Sequence, residues 1–372
     1  MLQLRPSGMT INLQGGSVKA SPLYLEMLET ASKIILLISA SAYMTGRSIV
    51  SVDIMTFHLS AGVLFFFSQL NPAACGNTSK IIPFLSACLA ATAMSGLNQI
   101  STIALLNVII AFFIIQIFMS ILSYKKFINV FITASLINLT LALLSMAGFS
   151  PIIDNPEGEP GGLFGNAPRL CYYLAITMPF AAEKYRFSLV FYAIAGILLK
   201  EIYLPVFAAL IYIKEEIGHL KKRMWIPPVL LVIFMIFFSN RIGHSLLLRW
   251  EVWKPTIMQI FLTPVFGHGL GVFPYVSSQF IHMQGYSADN AFSSFLQFFF
   301  SCGLVGLAGL WIASKRILDD FRFTAAQTSL VFLAVLSIFE YPFEVPKLWL
   351  TICFIIAVVL KEKGAPNAVD NR

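Results

Sequence analysis

Charged side chains are scarce in this chain. Only 12% of its 372 residues are Asp, Glu, Lys or Arg, whereas a soluble domain averages about 25%. Hydrophobic residues make up 58% of the chain and raise the mean hydropathy to +0.80. They lie in repeated runs of roughly 20 residues, the length that an α-helix needs to cross a hydrocarbon core of about 30 Å. This composition excludes an ordinary soluble globular domain and predicts an all-α integral membrane protein.

Several signs of a chemical site are also missing. The five cysteines are scattered and form no CxxC pair, so neither a metal site nor a disulfide framework is expected. Ionisable residues are nearly absent from the middle of the apolar runs, which argues against an ion-coupled carrier. The net charge of +7 is what the cytoplasmic loops of a membrane protein produce, and it does not indicate nucleic acid as a partner.

About twelve membrane spans are predicted, with one large external loop. The spans lie near 29–46, 54–71, 81–97, 100–122, 127–148, 168–182, 186–200, 202–214, 225–239, 290–312, 324–340 and 345–361. The predicted order is a cytoplasmic segment (1–28), transmembrane helices 1–9 (29–239), the large loop (240–289), transmembrane helices 10–12 (290–361) and a cytoplasmic tail (362–372). The seventh and eighth spans touch at Lys200, and they are either a pair of tilted helices or one broken helix.

Basic residues indicate the orientation of these spans. With both termini in the cytoplasm, most of the 25 Lys and Arg residues fall in cytoplasmic segments, as the positive-inside rule expects. The external exceptions are Arg47, Arg169, Lys200, Arg241, Arg249, Lys254 and Lys347. Because topology does not require these cations, they are candidates for binding an anionic ligand.

The segment Arg249-Trp250-Glu251 lies early in the large loop, and two interpretations of it stay open. Trp250 and Trp253 are typical of a helix at the membrane interface, from which Arg and Lys reach lipid phosphates. Alternatively, Arg249 offers a planar, permanently charged fork that binds a diphosphate through two hydrogen bonds.

Glycines alternate with other residues in P-V-F-G-H-G-L-G-V-F, the sequence of residues 264–273. Gly267, Gly269 and Gly271 permit a close backbone approach and unusual dihedral angles, so a flexible re-entrant turn is one interpretation. His268, between the first two of these glycines, is either a titratable group or an ordinary polar residue.

Asp289 and Asn290 stand immediately before the tenth predicted span. Both residue types favour the N-cap of a helix, and a negative charge suits a helix N-terminus. A carboxylate at the mouth of a span, near cationic side chains, can also accept a proton from an attacking hydroxyl. The two roles do not exclude each other.

The order of these motifs resembles the signature region of the bacterial O-antigen ligase and O-antigen polymerase superfamily. That order is Arg-Trp, about a dozen mostly apolar residues, P-x-F-G-x-G-x-G-x-F, a polar gap of about 15 residues, S-A-D-N-x-x-x-x-x-L-Q and then C-G-L-V-G. Upstream, G-L-F-G-N-A-P-R resembles the family's G-x-F-x-N-P-N segment, which opens a span. The similarity covers roughly residues 160–311 in motif detail and the whole chain in its layout of spans.

The resemblance implies a GT-C-like fold and a metal-independent, inverting glycosyl transfer at the periplasmic face of the bacterial cytoplasmic membrane. The donor is then a glycan linked to undecaprenyl diphosphate, and no cofactor is implied. Membrane lipid and a chain-length regulator are the further partners that the resemblance suggests. Cations placed where the leaving diphosphate develops charge lower the barrier of such a reaction.

The family's site residues map onto this sequence in three groups. Asp289 is the candidate catalytic base, and His268 is the alternative. The candidate diphosphate-binding residues are Arg249, Arg241, Arg169 and Lys200. The residues expected to shape the loops are Gly267, Gly269, Gly271 and Asn166.

The sequence departs from the family pattern at three places. Asp289 stands where ligases carry His, which favours polymerisation onto a saccharide hydroxyl over ligation to the lipid A core. Residues 166–168 read Asn-Ala-Pro in place of Asn-Pro-Asn, and residues 200–201 read Lys-Glu in place of Ser-Arg. Lys supplies charge at that junction but not a bidentate fork.

Two other classes of function stay open. A flippase or transporter of lipid-linked sugars needs a polar central cavity, often built from internal repeats and broken helices, and no such repeat is visible. A structural assembly partner predicts that the external cations do not converge. The catalytic hypothesis predicts that Arg249, Asp289 and at least one of Arg169 and Lys200 converge on one external cavity that opens laterally to lipid.

Overall fold

The computed structural model describes residues 10–13, 16–19, 78–94, 99–121, 124–147, 149, 164, 166–216, 247–281, 290–318 and 324–364. The predicted spans near 29–46, 54–71 and 225–239 lie outside the described residues. Arg241 and Asp289 lie outside them as well.

A short hairpin precedes a series of helices. Strands β1 (Thr10–Leu13) and β2 (Gly16–Lys19) pair antiparallel, with Thr10 opposite Lys19. The helices are α1 (Ile82–Met94), α2 (Gln99–Ile121), α3 (Tyr124–Met146), α4 (Ala167–Lys184), α5 (Ser188–Leu198), α6 (Tyr203–Glu216), α7 (247–260), α8 (Phe273–Val276), α9 (Ser294–Leu318), α10 (Ala325–Phe339) and α11 (Pro346–Gly364). Single 3₁₀ turns lie at Thr78–Ile81, Ser277–Gln279 and Pro342–Glu344.

These helices coincide with nine of the predicted spans. Helices α1 to α6 match the third to eighth spans, and α9 to α11 match the tenth to twelfth. Among the described helices, α9 is the one both long and apolar enough to cross a membrane, and shorter apolar stretches lie in α1, α2, α3, α5, α6 and α10. The helical fold is therefore compatible with an α-helical membrane protein, while the count of twelve spans stays a prediction.

The seventh and eighth spans are two helices joined by a tight turn. Helix α5 ends at Leu198, Lys200 adopts a left-handed φ of 58°, and α6 begins at Tyr203. Gly196 allows the two helices to approach closely, because a Cβ there would lie 2.4 Å from Cδ of Pro205.

Local sequence explains where two of the longer helices begin. The side chain of Asn166 caps α4 by accepting the backbone N–H of Arg169 at 3.1 Å, and a proline follows in the first turn. Thr324 and Gln327 form a reciprocal capping box at the start of α10.

Helix α4 lies in the centre of the main core. Its residues from Leu170 to Ile176 are fully buried. Across the same core, the rings of Phe207 and Phe332 stack with centroids 4.0 Å apart. Helices α1 and α9 approach each other through small residues, since a Cβ on Gly309 would lie 2.4 Å from that of Ala87.

Large apolar side chains also cover outward faces of the bundle. On α5 the exposed residues recur at helical spacing, namely Val190, Phe191, Ile194, Ile197 and Leu198. Trp311 on α9 is 72% exposed. Soluble proteins rarely expose contiguous apolar surface of this kind, so these faces fit a lipid environment.

Polar contacts join the helices at both ends of the bundle. At one end the Lys184 ammonium donates to the Asn129 amide oxygen at 2.5 Å, and the Thr324 hydroxyl donates to Glu362 at 2.9 Å. At the other end, side chains from α4, α6 and α7 meet at the residue that follows α10, Glu340. Helices α4, α6 and α7 therefore begin, and α10 ends, at this second end of the bundle.

Candidate functional site

A buried carboxylate lies at the end of the bundle that the topology predicts to be external. Glu340 follows the last residue of α10 and is only 2% exposed. Its backbone N–H donates to the carbonyl of Leu336 at 2.6 Å, and its carbonyl accepts the N–H of Ser294 at 2.8 Å. These two bonds fix Glu340 between the end of α10 and the start of α9.

Three donors from three other helices converge on the carboxylate of Glu340. The Tyr172 hydroxyl donates to Oε2 at 2.6 Å. The Tyr203 hydroxyl and Nη2 of Arg249 both donate to Oε1, the latter at 2.5 Å. A buried carboxylate is costly unless it is paired and hydrogen-bonded, and these donors meet that requirement.

Aromatic rings surround this carboxylate. The ring of Tyr172 lies 6.1 Å from that of Tyr203 and 5.9 Å from that of Tyr341, measured between centroids. Phe292, just before α9, lies 6.0 Å from Tyr341. The rings exclude water from the Glu340 carboxylate and strengthen its hydrogen bonds. We call Glu340, Tyr172, Tyr203 and Arg249 the Glu340 cluster.

Arg249 is the cation of the cluster and comes from the first turns of α7. Burial alone would lower the pKa of its guanidinium, but the Glu340 carboxylate outweighs burial and raises that pKa above its ordinary value. The guanidinium is therefore charged at any physiological pH. Its charge is balanced by Glu340, so the pair adds orientation to the site but little net charge.

Two exposed cations lie close to the cluster along the chain. Arg169 stands one helical turn before Tyr172 on α4, a spacing of about 5–6 Å between side-chain bases. Lys200 stands three residues before Tyr203, at the turn into α6. Both are exposed, and neither forms an ion pair within the described part of the chain. The structure thus gathers Arg249, Arg169 and Lys200 at the same end of the bundle.

The backbone of Lys200 is strained. Its φ of 58° is uncommon for a residue with a Cβ, and such strain tends to occur at functional positions. Glu201, which follows it, is buried, and its N–H donates to the carbonyl of Gly196 at 2.8 Å. This turn holds Lys200 at the protein surface.

The glycine-rich segment is inserted into a break in α9. Gly267, Gly269 and Gly271 have φ values of 73°, 107° and 69°. Gly303 interrupts α9 with φ 58° and ψ −158°. A Cβ on Gly267 would lie 2.5 Å from the backbone of Ser301, so only glycine permits this contact. We call residues 264–271 the glycine loop.

His268 belongs to the packing of the glycine loop. Its ring stacks on Phe300 with centroids 4.3 Å apart, and its Nε2 lies 3.1 Å from the carbonyl oxygen of Gln259. Both contacts orient the imidazole towards α7 and α9. Its described contacts do not include a member of the Glu340 cluster.

The candidate base Asp289 lies outside the described residues, but the residues after it border the cluster. Trp253 donates its indole N–H to the carbonyl of Ala291 at 2.9 Å. Asn290 accepts the N–H of Phe292 at 2.9 Å, and Ser294 binds the backbone of Glu340. The predicted convergence of Asp289 with the cations stays a prediction, as does the role of Arg241.

Sequence reasoning missed three members of the cluster, namely Glu340, Tyr172 and Tyr203. Glu340 stands at the end of an apolar span in F-E-Y-P, and the tyrosines stand near the mouths of two other spans. A usable signal existed, because an acid at a span end was predicted to face the same side as the unexplained cations. Asn166 was predicted as loop-shaping, and it caps the helix that carries Arg169 and Tyr172.

The described residues contain no group of three or more His, Cys, Asp or Glu side chains that could hold a metal ion. Comparison of the chain with protein-family models, with curated proteins and with solved structures finds no match.

Proposed function

We propose that the chain is a glycosyltransferase of the bacterial cytoplasmic membrane that uses a glycan linked to undecaprenyl diphosphate as its donor. Transfer to a saccharide hydroxyl, which is the polymerase reaction, is favoured over ligation to the lipid A core. The observation that supports this proposal most is the position of Arg249, Arg169 and Lys200 near the end of the helices that holds the buried Glu340 carboxylate.

The charges of this region suit a diphosphate. Glu340 balances Arg249, so the net attraction for an anion comes from the exposed Arg169 and Lys200. Arg249 contributes a guanidinium whose orientation is fixed in advance by its bond to Glu340. Donors fixed before the reaction cost no reorganisation when charge develops, which is how such sites lower a barrier.

The proposed step balances as a single displacement. The acceptor hydroxyl oxygen forms a bond to the anomeric carbon of the donor, and the bond from that carbon to the phosphate oxygen breaks. The hydroxyl proton passes to a base, for which Asp289 is the candidate. The electron pair of the broken bond stays on undecaprenyl diphosphate, whose added charge Arg169 and Lys200 stabilise.

One feature favours the transporter alternative. Helix α9 is discontinuous at Gly303, and discontinuous helices line substrate sites in many transporters. In this chain, however, the break is filled by the backbone of the glycine loop. Arg249, Arg169 and Lys200 lie near the same end of the bundle and not along a central path, which favours chemistry at a membrane face.

A strain that lacks this chain tests the proposal through its surface glycan, resolved on a gel. Loss of the ladder with one repeat unit still attached to lipid A core supports the polymerase reaction. Loss of every attached repeat identifies a ligase. Donors retained on the cytoplasmic side identify a transporter, and an unchanged profile contradicts all three.

A further inference from the structure

The glycine loop lies well inside the helical bundle. Ser294, at the start of α9, is bonded to Glu340 and so marks the level of the cluster. The carbonyl of Ser301 accepts the N–H of Gly269 at 2.9 Å. Because a helix rises about 1.5 Å per residue, Ser301 lies roughly 10 Å further along α9 than Ser294. Leu270 is buried in a group that includes Cys88 of α1 and Leu105 of α2. The loop therefore descends from the cluster into the apolar part of the bundle.

The break in α9 satisfies the backbone of the glycine loop at this depth. The N–H groups of His268 and Gly269 donate to the carbonyls of residues 300 and 301, each at 2.9 Å. In return, the N–H groups of Leu304 and Val305 donate to residues 264 and 265, at 2.8 and 3.0 Å. Non-helical backbone is tolerated at membrane depth only where protein or water forms hydrogen bonds with its N–H and C=O groups. These four bonds meet that requirement.

The outer surface of the last turn of α7 and of the turn after it is apolar, whereas Glu251 and Lys254 are exposed nearer the start of the helix. Met258, Phe261 and Leu262 are 63%, 75% and 70% exposed. The opposite face is also apolar, since Val252 and Ile260 are buried against the cluster around Phe300. A helix that borders water carries polar residues on its outer face, so the surroundings of residues 258–262 are not aqueous.

We infer that residues 247–276 form a re-entrant segment whose exposed apolar face contacts the acyl chains of the outer leaflet. The exposed face continues onto the surface of a predicted span, because Val265 is exposed and its carbonyl is bonded to α9 beside the exposed Leu304. Trp250, exposed at the shallow end, lies where amphipathic rings meet headgroups. The inference rests on the membrane location in the proposed function, but on no step of its chemistry.

Spin-label accessibility in the full chain tests this inference. A nitroxide is attached to Cys in three separate variants, Phe261→Cys, Leu304→Cys and Gln279→Cys, each reconstituted in lipid nanodiscs. The four described native cysteines are buried, and the unsubstituted protein gives the background. Power saturation compares collisions with oxygen, which concentrates in acyl chains, and with a nickel chelate, which stays in water. Gln279 is exposed and polar just after the segment and serves as the aqueous control.

The inference predicts oxygen-dominated labels at Phe261 and Leu304 and a nickel-dominated label at Gln279. A nickel-dominated label at Phe261 with an oxygen-dominated label at Leu304 overturns the re-entrant segment and leaves the membrane location intact. Nickel-dominated labels at both positions overturn the membrane location itself. Spin–spin broadening at Phe261 that disappears on dilution with unlabelled protein overturns lipid contact in favour of a second copy of the chain.

Discussion

Arg249 and Glu340 form a direct ion pair, so the role of each side chain depends on the other. From the sequence, Arg249 is a cation that either reaches lipid phosphates from an interfacial helix or binds a diphosphate. In the structure, the Glu340 carboxylate balances the charge of Arg249. The Tyr172 and Tyr203 hydroxyls donate further hydrogen bonds to the same carboxylate. In the proposed site, Arg249 therefore supplies a donor of fixed orientation. The net attraction for an anion comes from the exposed Arg169 and Lys200.

The Arg249–Glu340 pair predicts a non-additive loss of stability. Arg249→Ala leaves a buried carboxylate without its cation, which we expect to cost about 3 kcal/mol in the free energy of unfolding. Adding Glu340→Gln removes that uncompensated charge, so the double variant should lose less than the single one. Unfolding in detergent of Arg249→Ala, of Glu340→Gln and of the double variant measures this coupling. A loss in the double variant equal to the sum of the two single losses would show that the pair is not coupled.

The strained turn at Lys200 predicts that a single substitution can raise stability while it lowers activity. Lys200→Gly removes the cost of a left-handed residue that carries a Cβ, which is roughly 1 kcal/mol. The same change removes a cation from the proposed diphosphate site, so glycan polymerisation should fall. Lys200→Ala is the matched variant, since it removes the cation and keeps the strain. Activity should fall equally in both variants, and only the glycine variant should become more stable; a gain in stability with alanine contradicts the account.

Among the elements, α9 and the glycine loop form one unit. The loop restores the hydrogen bonds that α9 loses at Gly303, and α7 runs from that loop to Arg249. The position of α7 therefore depends on how deeply the loop is seated. Changes in the loop should act on the Glu340 cluster without touching it.

Two glycines of the loop provide a graded test of this dependence. Both have positive φ, but a Cβ on Gly267 would lie 2.5 Å from backbone atoms, whereas one on Gly271 would lie 3.0 Å from the Cβ of Ala104. Gly267→Ala should therefore lower the unfolding temperature and the glycan ladder more than Gly271→Ala. Equal effects would mean that positive φ alone, and not the contact with α9, determines the loss.

The helices could be predicted because apolar runs of roughly 20 residues favour helices, and nine of the predicted spans coincide with described helices. The three alternating glycines were correctly expected to have unusual dihedral angles. The Glu340 cluster could not be predicted, because it joins residues far apart in the chain, such as Tyr172 and Glu340. Periodicity within a segment carries no information about which helix ends meet.

In the molecule as a whole, the charged side chains that contact another helix lie near the ends of the described helices, and apolar side chains cover much of the outer surface between them. That distribution suits a bundle in a bilayer whose chemistry takes place at one face. It also makes the exposed cations at that face separable from the fold, because Arg169 and Lys200 make no ion pair within the described residues.

Polymerisation by the purified chain in proteoliposomes tests the central claim most directly. The vesicles contain undecaprenyl-diphosphate-linked repeat units, and the products are followed as glycan length and released undecaprenyl diphosphate. The account predicts that the unsubstituted protein forms both products, that Arg169→Ala combined with Lys200→Ala forms neither, and that Lys254→Ala, which removes another exposed cation on α7, forms both. Full product formation by the combined variant would contradict the proposed diphosphate site, and no product from the unsubstituted protein would contradict the proposed polymerase reaction.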